Sequence, residues 1–210
     1  MSSISAASLA GQGVRYSGAI WNAARDHGLD PALLAAVAAQ ETGGPDTNAG
    51  RNIVGDSGHG HGLFQIDDRY HDFARTPDAM NPARNAEYAA GMLSGLIQRY
   101  GSIHRALSAY NAGDPNAEGT ATRWSDGTEL GYADSVLRHE ALITGHSPED
   151  AARDELGSAV ASIAGPTAQA ASLPLSLPQA AHVRSFRDLV NAGDAQGDTT
   201  DDPTDDPETS

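Results

Sequence analysis

The 210-residue chain contains no cysteine and no lysine. The lack of cysteine leaves the redox compartment open and removes thiolate ligands for zinc. All thirteen positive residues are arginine, against 28 acids, for a formal net charge of -15. So acidic a chain argues against a nucleic-acid partner. No apolar run reaches the roughly 18–20 residues needed to span a membrane, so no membrane span is expected. The opening segment Met1–Ala10 lacks a basic region and a long apolar core, and does not read as a secretory signal. No internal repeat is visible.

What is present supports one domain with appendages. Hydrophobic residues make up 39% of the chain, enough for a core, although much of it is alanine. Residues 1–13 are small and polar and are expected to be loose. A first helix is predicted near Val14–His27. Asp30 and Pro31 form a cap followed by proline at the first helical position, which opens a second helix. A glycine-rich region spans about 42–67. Further helices are predicted over Pro82–Arg99, with Ala89, Met92, Leu93 and Leu96 inward, over Ile103–Asn111, and near Leu130–Ile143, where Gly145 stops the last. Residues 14–145 are therefore read as one folded domain.

Residues 146–193 are read as a helical and linker extension. Ser147, Pro148, Glu149 and Asp150 cap one short helix, Pro166, Pro174 and Pro178 mark a linker, and Val183, Phe186 and Val190 suggest a last amphipathic helix. Residues 194–210 hold seven acids and no arginine, and are expected to be a disordered acidic tail.

Glu41 is the first candidate for chemistry. It closes the helical run from Pro31, and Leu34, Val37, Ala38 and Glu41 follow the i, i+3, i+4, i+7 spacing of one face. On an apolar stripe a carboxyl group loses solvation and its pKa rises, as a general acid requires. The alternative is a helix-end residue turned to water. A second cluster follows, in which Gly55, Gly58, Gly60 and Gly62 fall within eight positions, bracketed by Asp56 and Asp67. Glycine lets a ligand approach the main chain closely. Leu63–Asp67 reads as a short strand. One protonated and one ionised carboxyl suit glycoside hydrolysis. Asp56 as a turn former and Asp67 as a strand-end cap are the competing roles.

Four blocks carry a resemblance. Glu41-Thr42, then Gly55-Asp56 with Gly62-Leu63-Phe64-Gln65-Ile66-Asp67, then Ala109-Tyr110-Asn111-Ala112-Gly113, then Gly131-Tyr132-Ala133 stand in the order and spacing of the goose-type lysozyme and lytic transglycosylase group. The resemblance covers about residues 15–145. It implies an α+β, predominantly α-helical, lysozyme-like fold with a short β and glycine-rich region beside the catalytic cleft. It implies cleavage of the β-1,4 bond between N-acetylmuramic acid and N-acetylglucosamine in peptidoglycan glycan strands. By resemblance Glu41 is the general acid, and Asp56 and Asp67 match two aspartates that position an attacking water. Transglycosylases of the group usually lack that pair and use the muramyl 6-hydroxyl, leaving a 1,6-anhydro product. Both aspartates favour plain, inverting hydrolysis. The chain departs from the goose pattern in a longer loop between Glu41 and Asp56.

The same blocks supply candidate substrate-binding residues. Gln65 offers a donor and acceptors for sugar amides and hydroxyls. Tyr110 shares a helix face with Ile103 and Leu107, Asn111 ends that helix, and Tyr132 by resemblance hydrogen-bonds near the acid. Ordinary core packing for Tyr110 and a helix stop at Asn111 are the competing roles. His61 is expected to contact substrate, with plain loop polarity as the competing role. His59, His61 and His71 near Asp56, Asp67 and Asp68 raise the question of a metal, but neither cysteine nor a helical His-x-x-x-His pair is present, and no metal or cofactor is expected.

Three function classes follow: a muramidase, a lytic transglycosylase, and a non-catalytic glycan-binding module on the same fold. The enzyme is expected to be phage-encoded and released through a holin, or carried by a virion or injection particle to which the C-terminal helices attach. Its charge argues against simple electrostatic attraction to anionic wall polymers.

Overall fold

The computed structural model describes residues 4–145. In that span lie α1 (Ala6–Gly11), α2 (Ser17–Asp26), α3 (Pro31–Thr42), β1 (Ile53–Gly55), β2 (Gly60–Gly62), β3 (Ile66–Asp67), α4 (Pro82–Tyr100), α5 (Ile103–Ala112), β4 (Thr122–Arg123), β5 (Glu129–Leu130) and α6 (Tyr132–Thr144). The helices dominate, and the two small sheets are antiparallel. The expected C-terminal extension and acidic tail lie outside the described residues.

α3 is the axis of the fold. Its start follows the sequence signal, with the Asp30 carboxylate accepting the Ala32 N–H at 2.7 Å and Pro31 at the first helical position. All twelve of its residues are buried. The stripe expected through Leu34, Val37, Ala38 and Glu41 is therefore only part of the buried surface. A helix that is apolar all round belongs inside the molecule rather than against one side of it. Its alanines leave room for neighbours on every face. α2 and α6 pack directly on it, while α4 packs on α2 and α5, and α5 on α6.

The N-terminal segment corrects an expectation. Residues 6–11, expected to be loose, form α1. Ser5 Oγ accepts the Ser8 N–H at 3.1 Å, Leu9 is fully buried, and the Trp21 indole N–H donates to the Ile4 carbonyl at 2.8 Å. One leucine in six residues gives almost no periodic signal, so tertiary packing creates this helix.

The glycine-rich region is also richer than a single strand. β1, β2 and β3 form a sheet in sequence order, with Val54 opposite His61 and Gly60 opposite Asp67. Strand structure at the predicted Leu63–Asp67 is confined to Ile66 and Asp67, while Leu63 and Phe64 are buried in the turn before them. Gly62 makes that turn with φ +79°, and a Cβ there would lie 2.4 Å from the Ala79 carbonyl oxygen, so only glycine fits. Asn85 of α4, fully buried, holds the turn from behind. Its Oδ1 accepts the Phe64 N–H at 2.8 Å and its Nδ2 donates to the His61 carbonyl at 3.0 Å. No helix among the described residues is long and apolar enough to cross a membrane.

Asn85→Ala removes the side-chain partner of the buried Phe64 N–H and of the part-buried His61 carbonyl. It should cost about 2 kcal/mol or more, read as a lower midpoint in urea unfolding. A midpoint equal to that of the unaltered protein would show that α4 does not hold the hairpin.

Candidate active site

Glu41 lies on the last turn of α3, where a carboxylate would ordinarily reach water. Here it is 1% exposed. Its Oε1 accepts a 2.6 Å hydrogen bond from the Tyr132 hydroxyl at the start of α6. Tyr132 is itself fully buried, and its ring stacks against Tyr110 with centroids 6.5 Å apart. Burial above all pushes both phenols well above their ordinary value, so each remains a protonated donor. The Tyr110 hydroxyl donates to the Phe64 carbonyl at 3.3 Å. α5, α6 and the hairpin turn thus meet beside the end of α3.

The segment after Glu41 is tied to the helix it leaves. Arg51 donates from its Nε to the Thr42 carbonyl at 2.8 Å, placing a cation at the helix C-terminus, where it complements the dipole. The longer loop between Glu41 and Asp56 folds back here: Gly50 sits so close that a Cβ would lie 2.7 Å from the Ala38 carbonyl oxygen.

Asp56 and Asp67 are brought together by Arg69. Asp67, 1% exposed, accepts from Arg69 Nε at 2.9 and 3.1 Å, from Nη2 at 2.5 Å, and from the Arg69 backbone N–H at 2.8 Å. The same Nη2 pairs with Asp56 Oδ2. Hydrogen bonding to Asp67, aided by the charges of both aspartates, raises the Arg69 pKa further, so this cation is permanent. The backbone around the clamp is strained. Asp56 (φ 45°), Ser57 (φ 52°) and Gln65 (φ 48°) are left-handed without being glycine. Such outliers persist only where surrounding contacts enforce them, and they cluster at functional sites.

The remaining sequence candidates are placed as follows. Gln65 is 1% exposed. Its Nε2 donates to the Gly62 and Ile53 carbonyls at 2.8 and 3.1 Å, while its Oε1 is buried with no partner among the described residues. Asn111, 3% exposed, accepts the Thr120 N–H at 2.9 Å and so pins the loop beyond α5. His61 Nε2 lies 3.2 Å from Asp68 Oδ2, and His59 Nδ1 lies 2.8 Å from Asp68 Oδ1. The His59 bond is the main cause that holds the Asp68 carboxyl below its ordinary value. His71 Nδ1 sits 3.1 Å from the Tyr88 hydroxyl, and burial lowers its pKa. No group of three or more His, Asp or Glu among the described residues is arranged to hold a metal ion.

Sequence reasoning missed Arg69. A signal was available, since Arg69 is the first cation after the Asp67-Asp68 pair in a chain with few cations. A residue two positions beyond an aspartate can also meet its side chain in a local turn.

A buried general-acid candidate on a central helix, in a mostly helical chain with small antiparallel sheets, defines a lysozyme-like protein. The family model for the transglycosylase SLT domain matches residues 18–127, more than half of the chain, and the chain belongs to this family. Its substrate is peptidoglycan, and its activity is the cleavage shared by lytic transglycosylases and lysozymes. Tyr132 lies beyond the matched segment. No curated protein matches the chain.

Arg69→Met should strand two adjacent carboxylates. The loss should be about 2 kcal/mol, below the roughly 3–5 kcal/mol of a fully buried pair because the guanidinium is 37% exposed. Urea unfolding at neutral pH measures it. Unchanged stability would show that solvent satisfies both aspartates.

Proposed function

We propose that the protein is a muramidase that hydrolyses the β-1,4 bond between N-acetylmuramic acid and N-acetylglucosamine. Glu41 is the general acid. In this reading Glu41, 1% exposed, gives its proton to the departing glucosamine O4 as the glycosidic bond breaks. Asp56 and Asp67 orient a water that attacks the muramyl C1 from the opposite face, so the configuration inverts.

The observation that supports hydrolysis is the Asp56–Arg69–Asp67 clamp on strained backbone. Attack by the muramyl 6-hydroxyl needs no second carboxylate to orient a water. Strain and charge concentrated on these two aspartates are best explained by a water-dependent step.

Gln65 and His61 on the sheet side, and Tyr110, Asn111 and Tyr132 on the helical side, form the sugar-binding wall in this reading. Gln65, whose Nε2 already holds the Gly62 and Ile53 carbonyls, acts by shaping the sheet side of that wall. Tyr110 and Asn111, whose polar groups already hold Phe64 and Thr120, act by shaping the wall.

A second reading, a lytic transglycosylase, is favoured by the matched family's description. In it Glu41 acts first as acid and then as base for the 6-hydroxyl.

Mass spectrometry of peptidoglycan digested by the purified protein separates the two. Reducing muramic ends are expected, with the rate lowered about 1000-fold in Glu41→Gln, within the range for loss of a general acid. 1,6-Anhydromuramic ends would replace hydrolysis by transglycosylation while keeping Glu41. Glycan binding with no product of either kind would make the protein a binding module.

A further inference from the structure

A buried chain of polar side chains runs beside Glu41 and takes no part in the chemistry above. Gln40, 3% exposed, precedes Glu41 on α3. Its Oε1 accepts from the Ser135 hydroxyl at 2.7 Å, and its Nε2 donates to Thr122 Oγ1 at 2.8 Å. Ser135, fully buried on α6, also accepts the Trp124 indole N–H at 3.2 Å. Thr122 lies in β4, opposite Leu130 of β5, two residues before Tyr132. A polar network in a core costs stability unless every member is satisfied, and when satisfied it specifies one arrangement.

The arrangement specified here is the contact between acid and tyrosine. Tyr132 and Ser135 are three residues apart, so they share one face of α6. They meet consecutive residues of α3: Tyr132 binds Glu41 and Ser135 binds Gln40. Two cross-helix bonds at adjacent positions fix both the slide and the rotation of α6 on α3. The Thr122 bond adds a third point, through the hairpin that leads into Tyr132.

We propose that Gln40 and Ser135 are positioning residues that hold the Tyr132 hydroxyl on Glu41 during bond cleavage. The proposal rests on Glu41 being the general acid and is indifferent to whether water or the muramyl 6-hydroxyl attacks. Neither residue touches the sugar. Their loss should therefore lower kcat and leave KM unchanged.

The test is a kinetic cycle on the full-length protein, scoring reducing and anhydro ends together. Ser135→Ala should lower kcat about tenfold at constant KM, within the range for a small misplacement of reacting groups. Ser135→Thr, which keeps the hydroxyl, should restore it. In a Tyr132→Phe background the further loss from Ser135→Ala should be less than twofold, because the two act through one contact. Gln40→Met, close in shape and unable to hydrogen-bond, should repeat the Ser135→Ala result if that variant folds poorly. Leu9→Ala on α1 serves as the control that lowers stability without touching this contact. The proposal is overturned if Ser135→Ala and Gln40→Met lower only the melting temperature, as Leu9→Ala does, or if their effects multiply in full with Tyr132→Phe. Full activity in Glu41→Gln would overturn it together with the acid role. Anhydro products with the cycle intact would overturn hydrolysis alone.

Discussion

A carboxylate at the end of a helix normally reaches water within a turn. Glu41 does not, because α3 is enclosed on every side. This enclosure is the constraint from which the site follows. It removes the solvent that would otherwise stabilise the charged acid. It also forces the neighbouring elements to supply polar partners, and α6 supplies the Tyr132 hydroxyl. Alanine makes the enclosure feasible. A central helix with larger side chains at Ala35, Ala36, Ala38 and Ala39 would hold its neighbours further away, and a reach of 2.6 Å from α6 would be lost.

The sheet side is built on a different principle. Only short strands and a strained turn are available there, and beyond Leu63, Phe64 and Ile66, which enter the core, hydrophobic burial fixes few side chains. Ionic and polar contacts take over. Arg69 gathers Asp56 and Asp67, Asp68 gathers His59 and His61, and Asn85 holds the turn against α4. In a chain with such a surplus of acids, one arginine shared by two carboxylates also relieves the repulsion between them. The site thus joins a helical half held by packing to a loop half held by charge. The acid sits in the first and the clamp in the second.

Much of this was legible in the sequence. The start of α3 was written in Asp30-Pro31, because capping is a local reaction between neighbouring residues, and that of α4 was read at Pro82, where the structure adds Asn81 as the cap. The ends of α5 and α6 were written in Gly113 and Gly145, which are left-handed as glycine allows. The motif blocks singled out Glu41, Asp56, Gln65, Asp67 and Tyr132. Less was legible where the signal was not periodic. α1 rests on one buried leucine, and β1 and β2 are three residues each, too short for alternation to show.

By itself the sequence determined the local events: where helices begin and stop, which residues can adopt a left-handed turn, and which side chains carry an acid or a base. These depend on neighbours within a few positions and on residue type alone. Only the tertiary structure decided that α3 is buried all round, that Asp56 and Asp67 share Arg69, and that Tyr132 reaches Glu41 across 91 positions of chain. Such contacts depend on how elements pack, and packing joins residues whose separation in sequence leaves no periodic or spacing signal to read.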